Sequence, residues 1–197
     1  SIHEPKPSSD LLKSVLLWFA SPTRIGYHFL ARILGVLFGP SVFISLVIAV
    51  KQVLDRTCGK LQPGPTSPFD RFRLYLYRSL LAGGDLAKVF ELFGSHYEVT
   101  SIIARLLGGR VGKRVYWPGD GPSIQDFDFI DIGDDVVFGS RAHIVTSDGS
   151  GTEYVRIGNG AMVADRVVLL PGASLGARTV FGSGALARRS THYPSDT

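Results

Sequence analysis

The sequence predicts a mostly β fold, a left-handed parallel β-helix, preceded by transmembrane or amphipathic helices. Three observations lead to this prediction: a six-residue repeat in the second half of the chain, a long apolar stretch near its start, and an overall composition that suits a packed domain. The chain has 197 residues, 45% of them hydrophobic. That is enough for one domain with its own core and an accessory segment.

The six-residue repeat begins at Ile132. Its units read IGDDVV, FGSRAH and IVTSDG and, after an interruption, IGNGAM, VADRVV, LLPGAS, LGARTV and FGSGAL. Position one is always apolar, position two is glycine in five of the eight units, and position five is small or β-branched in seven. A strict period of six fits neither an α-helix nor a hairpin meander, but it fits a coil with three short flat sides. We expect position one to point inward and glycine at position two to permit a tight corner.

The apolar stretch near the start covers 29–50 and contains one charged residue, Arg32. As a helix it would be about 33 Å long, which matches the thickness of a bilayer core. The alternative is a buried hairpin that divides at Gly39-Pro40. A signal peptide is disfavoured, because the apolar run is too long and no small-residue cleavage pattern follows it. A shorter apolar run, 11–19, suits the membrane interface.

These segments divide the chain into four parts. We expect a membrane-associated helical segment over 1–57, a Pro-, Gly- and Ser-rich linker over 58–70, short helices over 71–107, and the β-helix over 108–197. The sequence begins without methionine and reaches no recognisable capping segment after the last repeat. Since solenoids normally end in a cap, we expect a piece of a longer protein.

Composition also limits the possible functions. The formal charge is +4, but the 21 basic residues are spread along the chain, so we expect no binding to nucleic acid. The single cysteine, Cys58, excludes an internal disulfide and forms no zinc site alone. We also expect no metal site, because the histidines outside the clear repeat are scattered: His3, His28, His96 and His192.

The repeat pattern [LIV]-[GA]-x-x-[small]-x resembles the hexapeptide-repeat acyltransferase superfamily over about 111–189. Three runs, LLGGRVGKRVYWPG, VVFGSRAHIVTSDG and VLLPGASLGARTVFGSGALARRS, follow an apolar segment. They are similar to the membrane-embedded C-terminal region of nonribosomal-peptide-synthetase-like proteins of the ε-polylysine synthetase type. In that family the corresponding domains are believed to form isopeptide bonds.

The resemblance implies an acyltransferase that forms an amide or isopeptide bond from a carrier-bound aminoacyl thioester. The implied partners are the adenylation and carrier domains of the same longer chain, a membrane, and further β-helices in a trimer or pseudo-trimer. The β-helix would lie on the cytoplasmic side. We expect no bound cofactor, and a phosphopantetheine-linked or coenzyme A thioester as the acyl donor.

His143 is the only histidine within the clear repeat, at position six of FGSRAH. Since the superfamily commonly uses a histidine as general base, we predict that role for His143. Asp148 would orient the imidazole, Ser147 would assist by hydrogen bonding, and Glu153 with Asp148 would receive a cationic amine. The alternatives are a solvent-facing corner histidine and an ordinary polar loop.

Three arginines of the last repeats, Arg178, Arg188 and Arg189, are predicted to bind the phosphates of the donor. Charged side chains at solvated corners would explain them equally well. Two other functions stay open on the sequence. One is a coenzyme-A-dependent O- or N-acetyltransferase, and the other is a non-catalytic β-helix that serves as a scaffold or oligomerisation module.

Overall fold

The computed structural model describes residues 7–65, 67–93, 98–118 and 122–197. His3, His96 and Gly119 lie outside these ranges. The chain divides into two compact units, 1–40 and 41–197. The first unit contains one complete helix and the start of a second, and the second unit contains all the strands described.

The helices within the described ranges are α1 (Pro7–Phe19), α2 (Pro22–Cys58), α3 (Pro68–Leu81), α4 (Asp85–Phe93) and α5 (Glu98–Leu106), with a 3-10 turn at Phe127–Phe129. Helix α3 starts at a capping serine, Ser67, whose hydroxyl accepts a hydrogen bond from the amide of Asp70. Of the residues that the structure describes, 46% are helical, so the prediction of a mostly β fold is wrong. The physical reason is that each strand covers only one flat side of a coil, in two or three residues, whereas the flanking segments form full helices.

Helix α2 contains the predicted apolar stretch and continues through Pro40. It is the one helix in the described ranges that is long and apolar enough to cross a membrane, with a mean hydropathy of 2.5 over its most apolar window. Buried core helices and signal sequences share this length and composition. In the first unit the apolar side chains of α1 and α2 are largely exposed, among them Leu17, Phe29 and Val36.

The strands form a parallel coil with three sheets and one antiparallel hairpin. Sheet 1 contains β1 (Arg110–Val111), β3 (Ile130–Ile132), β8 (Val155–Ile157), β11 (Ser174–Leu175) and β14 (His192–Tyr193). Sheet 2 contains β4 (Val137–Phe138), β9 (Met162–Val163) and β12 (Val180–Phe181). Sheet 3 contains β2 (Ser123–Ile124), β5 (His143–Ile144), β10 (Val168–Leu169) and β13 (Leu186–Ala187). The hairpin pairs β6 (Ser147–Asp148) with β7 (Gly151–Thr152).

Successive strands move from sheet 1 to sheet 2 to sheet 3 and back, so the chain forms a parallel β-helix in which one complete turn contains three six-residue units. Position one of each unit is buried, as at Ile144 and Leu169, and position five is buried at Ala142, Ala161 and Ala173. The predicted inward direction of position one is confirmed. The small side chain at position five leaves room for the large one at position one.

The corners lie at position four, where the backbone is left-handed, with φ of 57° at Asp135 and 58° at Arg141. Glycine at position two is therefore not needed to form the corner, as we predicted, but for a different reason. A Cβ on Gly139 would come within 2.5 Å of the amide nitrogen of Asp165 in the next coil. The close stacking of coils, rather than the bend within one coil, excludes a side chain there.

The first coils of the β-helix pack against helices α3–α5 and the last turns of α2, in one continuous core of the second unit. A buried ion pair helps to fix α2: the ammonium of Lys51 lies 2.7 Å from a carboxylate oxygen of Asp128 and 2.7 Å from one of Asp55. Asp55 also pairs with the buried Arg73 of α3 at 2.8 Å. Helices α3–α5 and the part of α2 that belongs to the second unit therefore form one folded body with the start of the coil.

Candidate functional site

His143 lies on the outer surface of sheet 3. It belongs to strand β5, and its neighbour in that strand, Ile144, points into the core. Its partners in register are Ser123 on one side and Val168 on the other. The predicted corner position is wrong, because position six is the first residue of the two-residue strand and the corner residue is Arg141. His143 therefore projects from a flat side of the coil.

The imidazole of His143 is exposed and makes no hydrogen bond within the described ranges. Both ring nitrogens are open to a substrate. The structure consequently does not show a carboxylate that orients this ring. An unpartnered imidazole can accept a proton from an acceptor amine or hydroxyl that binds on sheet 3.

Asp148 lies in the hairpin that interrupts the repeat, and its carboxylate binds Arg189 rather than His143. Arg189 pairs with Asp148 through one terminal nitrogen and with Glu153 through the other. The hydroxyl of Ser150 donates to Asp148 at 2.6 Å, and that of Ser190 donates to Glu153 at 2.9 Å. These five residues form a compact group, which we call the hairpin cluster.

The hairpin cluster favours the ionised form of both carboxyl groups. Hydrogen bonds from Ser150 and from Arg189 lower the pKa of Asp148 to about 2. Hydrogen bonds from Arg189 and Ser190 lower the pKa of Glu153. Arg189 contributes one positive charge against two carboxylates, so the cluster keeps a net negative charge, but both carboxylates already accept hydrogen bonds from Arg189. The guanidinium of Arg189 in turn binds two carboxylates rather than a phosphate.

Ser147 belongs to a different group of side chains. Its hydroxyl contacts the guanidinium of Arg78, which also binds both carboxylate oxygens of Asp126 at 2.7 Å. Asp126 is buried and accepts a further hydrogen bond of 2.8 Å from Thr146. This network joins α3 to the point where the chain leaves the regular coil, which indicates a structural role for Ser147.

The structure separates the three arginines that the sequence analysis grouped. Arg178 lies at the corner between β11 of sheet 1 and β12 of sheet 2, and pairs with Asp196 at 2.5 Å. Arg188 and Arg189 lie at another corner, between β13 of sheet 3 and β14 of sheet 1. The exposed Arg188 uses its backbone amide to donate to the hydroxyl of Tyr193 at 3.1 Å. The three guanidinium groups therefore do not converge on one anion site at one edge of the coil.

Two residues that the fold brings together beside sheet 3 carry no local signal in the sequence. Ser123 lies twenty positions earlier and outside the clear repeat, yet it is the register partner of His143. Thr100 belongs to α5 and lines a cavity that Ser123 also lines. Only the return of the chain to the same sheet brings these segments together. In the described ranges, no group of three or more His, Cys, Asp or Glu side chains could hold a metal ion.

Comparisons with known proteins found similarity among solved structures. No protein-family model matches the sequence, and no curated protein matches it. Among solved structures, the chain is similar to a hexapeptide-repeat-containing acetyltransferase from Vibrio cholerae, with 19% identity, a TM-score of 0.46, and coverage of 68% of this chain and 88% of that one. It is also similar to serine acetyltransferase isoform 3 from Entamoeba histolytica, with 13% identity, a TM-score of 0.28, and coverage of 100% and 76%.

Proposed function

We propose that this chain is an acyltransferase domain whose reaction takes place on the outer surface of sheet 3, with His143 as general base. The observation that supports this most directly is an exposed imidazole without a hydrogen-bond partner, on a regular flat side of a hexapeptide-repeat coil. A group in that position reaches a substrate without first breaking an internal hydrogen bond. The left-handed sense of the coil, which the repeat pattern predicts, is part of the same proposal.

The chemical step needs one base and no bound cofactor. The acceptor amine attacks the carbonyl carbon of a thioester while an imidazole nitrogen of His143 takes the amine proton. The carbon–sulfur bond then breaks, and the thiol leaves with the proton returned by the imidazolium. An amide and a free thiol result. Binding both substrates on one flat surface supplies part of the rate acceleration by proximity.

The narrower proposal is that the donor is a carrier-bound aminoacyl thioester and that the product contains an amide or isopeptide bond. The support is the similarity of the three sequence runs to nonribosomal-peptide-synthetase-like proteins. Membrane attachment is proposed from the length and apolar character of α2. With the β-helix on the cytoplasmic side, the domain would meet carrier and adenylation domains of a longer chain.

Association of several coils through their flat sides is also proposed. Val137, Met162 and Val180 are register partners along sheet 2, and all three are exposed. An exposed apolar row on a flat surface suits packing against an equivalent surface. A trimer, or a pseudo-trimer within a longer chain, would cover that row.

A non-catalytic scaffold is the second candidate function. It is favoured by one specific observation: the exposed apolar row of sheet 2 suits packing against a partner surface. The two functions differ in their response to the loss of the His143 imidazole. The scaffold would bind its partners equally well with alanine at 143, whereas the enzyme would lose its base.

The test uses the chain in lipid nanodiscs with lysyl-pantetheine or acetyl-coenzyme A as donor and a primary amine as acceptor. Mass spectrometry measures amide formation, and free thiol is measured in parallel to separate transfer from hydrolysis. The proposal predicts amide from at least one donor and a loss of at least 100-fold with His143→Ala. Amide formation at an unchanged rate with His143→Ala would reject His143 as base. No amide with either donor would favour the scaffold.

A further inference from the structure

A cavity of about 210 Å³ lies beside sheet 3 in the second unit. It is partly open to solvent and is lined by the end of α3, the turn that follows it, α4, α5 and strand β2. Its walls are mainly apolar, and the larger side chains are Leu81, Leu86, Phe90, Trp117, Ile124 and Phe127. No charged side chain lines the cavity among the residues described. A cavity of about 150 Å³ with apolar walls can bind benzene, so this one has room for a larger apolar group.

Thr100 and Ser123 are the two hydroxyl residues that line this cavity, and Thr100 is the buried one. Thr100 is 3% exposed, and its hydroxyl has no hydrogen-bond partner among the residues that the structure describes. The adjacent Ser101 differs, because its hydroxyl accepts a hydrogen bond of 3.0 Å from the indole nitrogen of Trp117. A buried hydroxyl without a partner is unfavourable, and such groups are uncommon in folded proteins. The hydroxyl oxygen is itself buried, so a neutral polar atom of a ligand would satisfy it after rotation of the Thr100 side chain toward the cavity.

The cavity lies next to the proposed general base. Ser123 lines the cavity and is also the register partner of His143. Neighbouring strands of a sheet lie about 4.8 Å apart. A group that extends from the cavity past Ser123 therefore reaches the outer surface of strand β5, where the imidazole lies.

We propose that this cavity binds the acyl group of the donor and that it selects a neutral, apolar acyl group, with Thr100 as the hydrogen-bond partner of one polar atom. The inference rests on the proposed acyl transfer at sheet 3, because it places the thioester carbonyl between Ser123 and His143. It differs from the narrower proposal in the donor, which is here a neutral acyl thioester rather than an aminoacyl thioester. The absence of charged side chains among the described residues of the cavity determines which class of acyl group it binds. A cationic lysyl side chain would lose its hydration without gaining a carboxylate partner, whereas an aliphatic or aromatic chain gains from burial.

The two tryptophans of the chain make a direct binding measurement possible. Trp18 lies in α1 and Trp117 lines the cavity. In a Trp18→Phe background, Trp117 fluorescence reports the cavity alone. The protein is held in lipid nanodiscs, since the chains of alkyl detergents would compete. Octanoyl-, acetyl- and lysyl-pantetheine are titrated separately. We expect a saturable change with the octanoyl probe at a concentration at least tenfold lower than with the lysyl probe.

Two variants test the assignment of the site. Ala87, a half-buried wall residue of α4, is replaced by phenylalanine to fill the cavity, and Ala31→Phe on the exposed surface of α2 is the matched control. Octanoyl binding should be lost in Ala87→Phe and kept in Ala31→Phe. Thr100→Val keeps the shape but removes the hydroxyl, and should weaken octanoyl binding about fivefold without loss of folding.

Binding is also measured in His143→Ala, so that failure of this inference can be separated from failure of the proposed function. Saturable octanoyl binding that Ala87→Phe removes supports the cavity, whatever the rate of acyl transfer. No saturable signal, an equal signal from the lysyl probe, or a signal unaffected by Ala87→Phe overturns it. Acyl transfer that depends on His143 can stand in either case.

Discussion

Arg189 forms an ion pair with Asp148, which lies 41 positions earlier in the chain. The pair joins the corner after strand β13 to the hairpin that interrupts the repeat. Because Arg189 also binds Glu153, one guanidinium holds both carboxylates that the sequence analysis assigned to substrate binding. The hairpin cluster consequently holds the hairpin in place. Neither carboxylate is available to assist His143.

Removal of the guanidinium should loosen the hairpin. In Arg189→Ala we expect faster hydrogen exchange at the amides of Ser150, which donates to Asp148 at 2.8 Å, and Thr152, which donates to Gly64 at 3.2 Å. Exchange at the amides of the regular coil should not change. The matched control is Arg188→Ala, since no side-chain hydrogen bond of Arg188 is present among the described residues. Equal exchange in the two variants would contradict a fixing role for Arg189.

The contribution of the hairpin cluster should depend on pH in a defined direction. The pKa of Asp148 falls to about 2 on folding, below its usual value of about 3.9. A carboxyl group whose pKa is lowered by folding stabilises the protein above the unfolded pKa, and this stabilisation is lost as the pH falls toward the folded pKa. The midpoint of thermal unfolding should therefore be higher for the wild type than for Arg189→Ala at pH 7. The difference should shrink from about pH 4 downward.

The other titrating groups are the same in the two proteins, so their contribution to the unfolding midpoint cancels when wild type and Arg189→Ala are compared at one pH. A difference that stays constant between pH 7 and pH 2.5 would show that the ion pair does not contribute through charge. A difference that grows as the pH falls would contradict the predicted sign.

The fold was largely predictable from the repeat, because a period of six is a local property of the chain. The inward residues, such as Ile144 and Leu169, follow from position one alone. The number of helical residues was underestimated, since the repeat says nothing about the segments outside it. The role of glycine at position two could not be predicted from the sequence either. It depends on contact between coils, as at Gly139 and Asp165.

Two glycines at position two test this explanation. Gly139→Ala places a Cβ 2.5 Å from the amide nitrogen of Asp165, so we expect a loss of about 1–3 kcal/mol in the free energy of unfolding. Gly182→Ala is the control, because nothing lies within 4 Å of its Cβ position. It should be neutral or stabilising by up to about 1 kcal/mol. Chemical denaturation measures both, and equal losses would contradict the stacking explanation.

The contact between α3 and the coil depends on the pair formed by Arg78 and the buried Asp126. In Arg78→Ala the carboxylate would stay buried without its cationic partner. We expect a loss of about 3 kcal/mol, because breaking one side of a buried pair leaves an uncompensated charge. Lys88→Ala, which breaks the exposed pair with Asp85, should cost less than about 1 kcal/mol. Similar losses for the two variants would contradict a structural role for the Arg78–Asp126 pair.

The candidate site was less predictable than the fold. His143 was identified because it is the one histidine of the repeat, and the structure adds its direction and its neighbours. The assignments of Asp148, Ser147 and the arginines used closeness in sequence, whereas the actual partners lie far away: Arg189 is 41 positions from Asp148, and Arg78 is 69 from Ser147. Long-range pairing in a coil depends on which corner each residue occupies. An interruption such as the hairpin breaks the six-residue period, so the corner that a later residue occupies cannot be found by counting along the sequence.

The central claim is that His143 acts as the base, and the most direct test compares two outward-facing histidines. His192 occupies the equivalent position in strand β14 on sheet 1, is exposed, and lies outside the proposed site. The rate of amide formation is measured under saturating donor for wild type, His143→Ala and His192→Ala, with folding checked by thermal unfolding. The account predicts a loss of at least about 100-fold for His143→Ala and an unchanged rate for His192→Ala. Equal rates in all three folded proteins would contradict it.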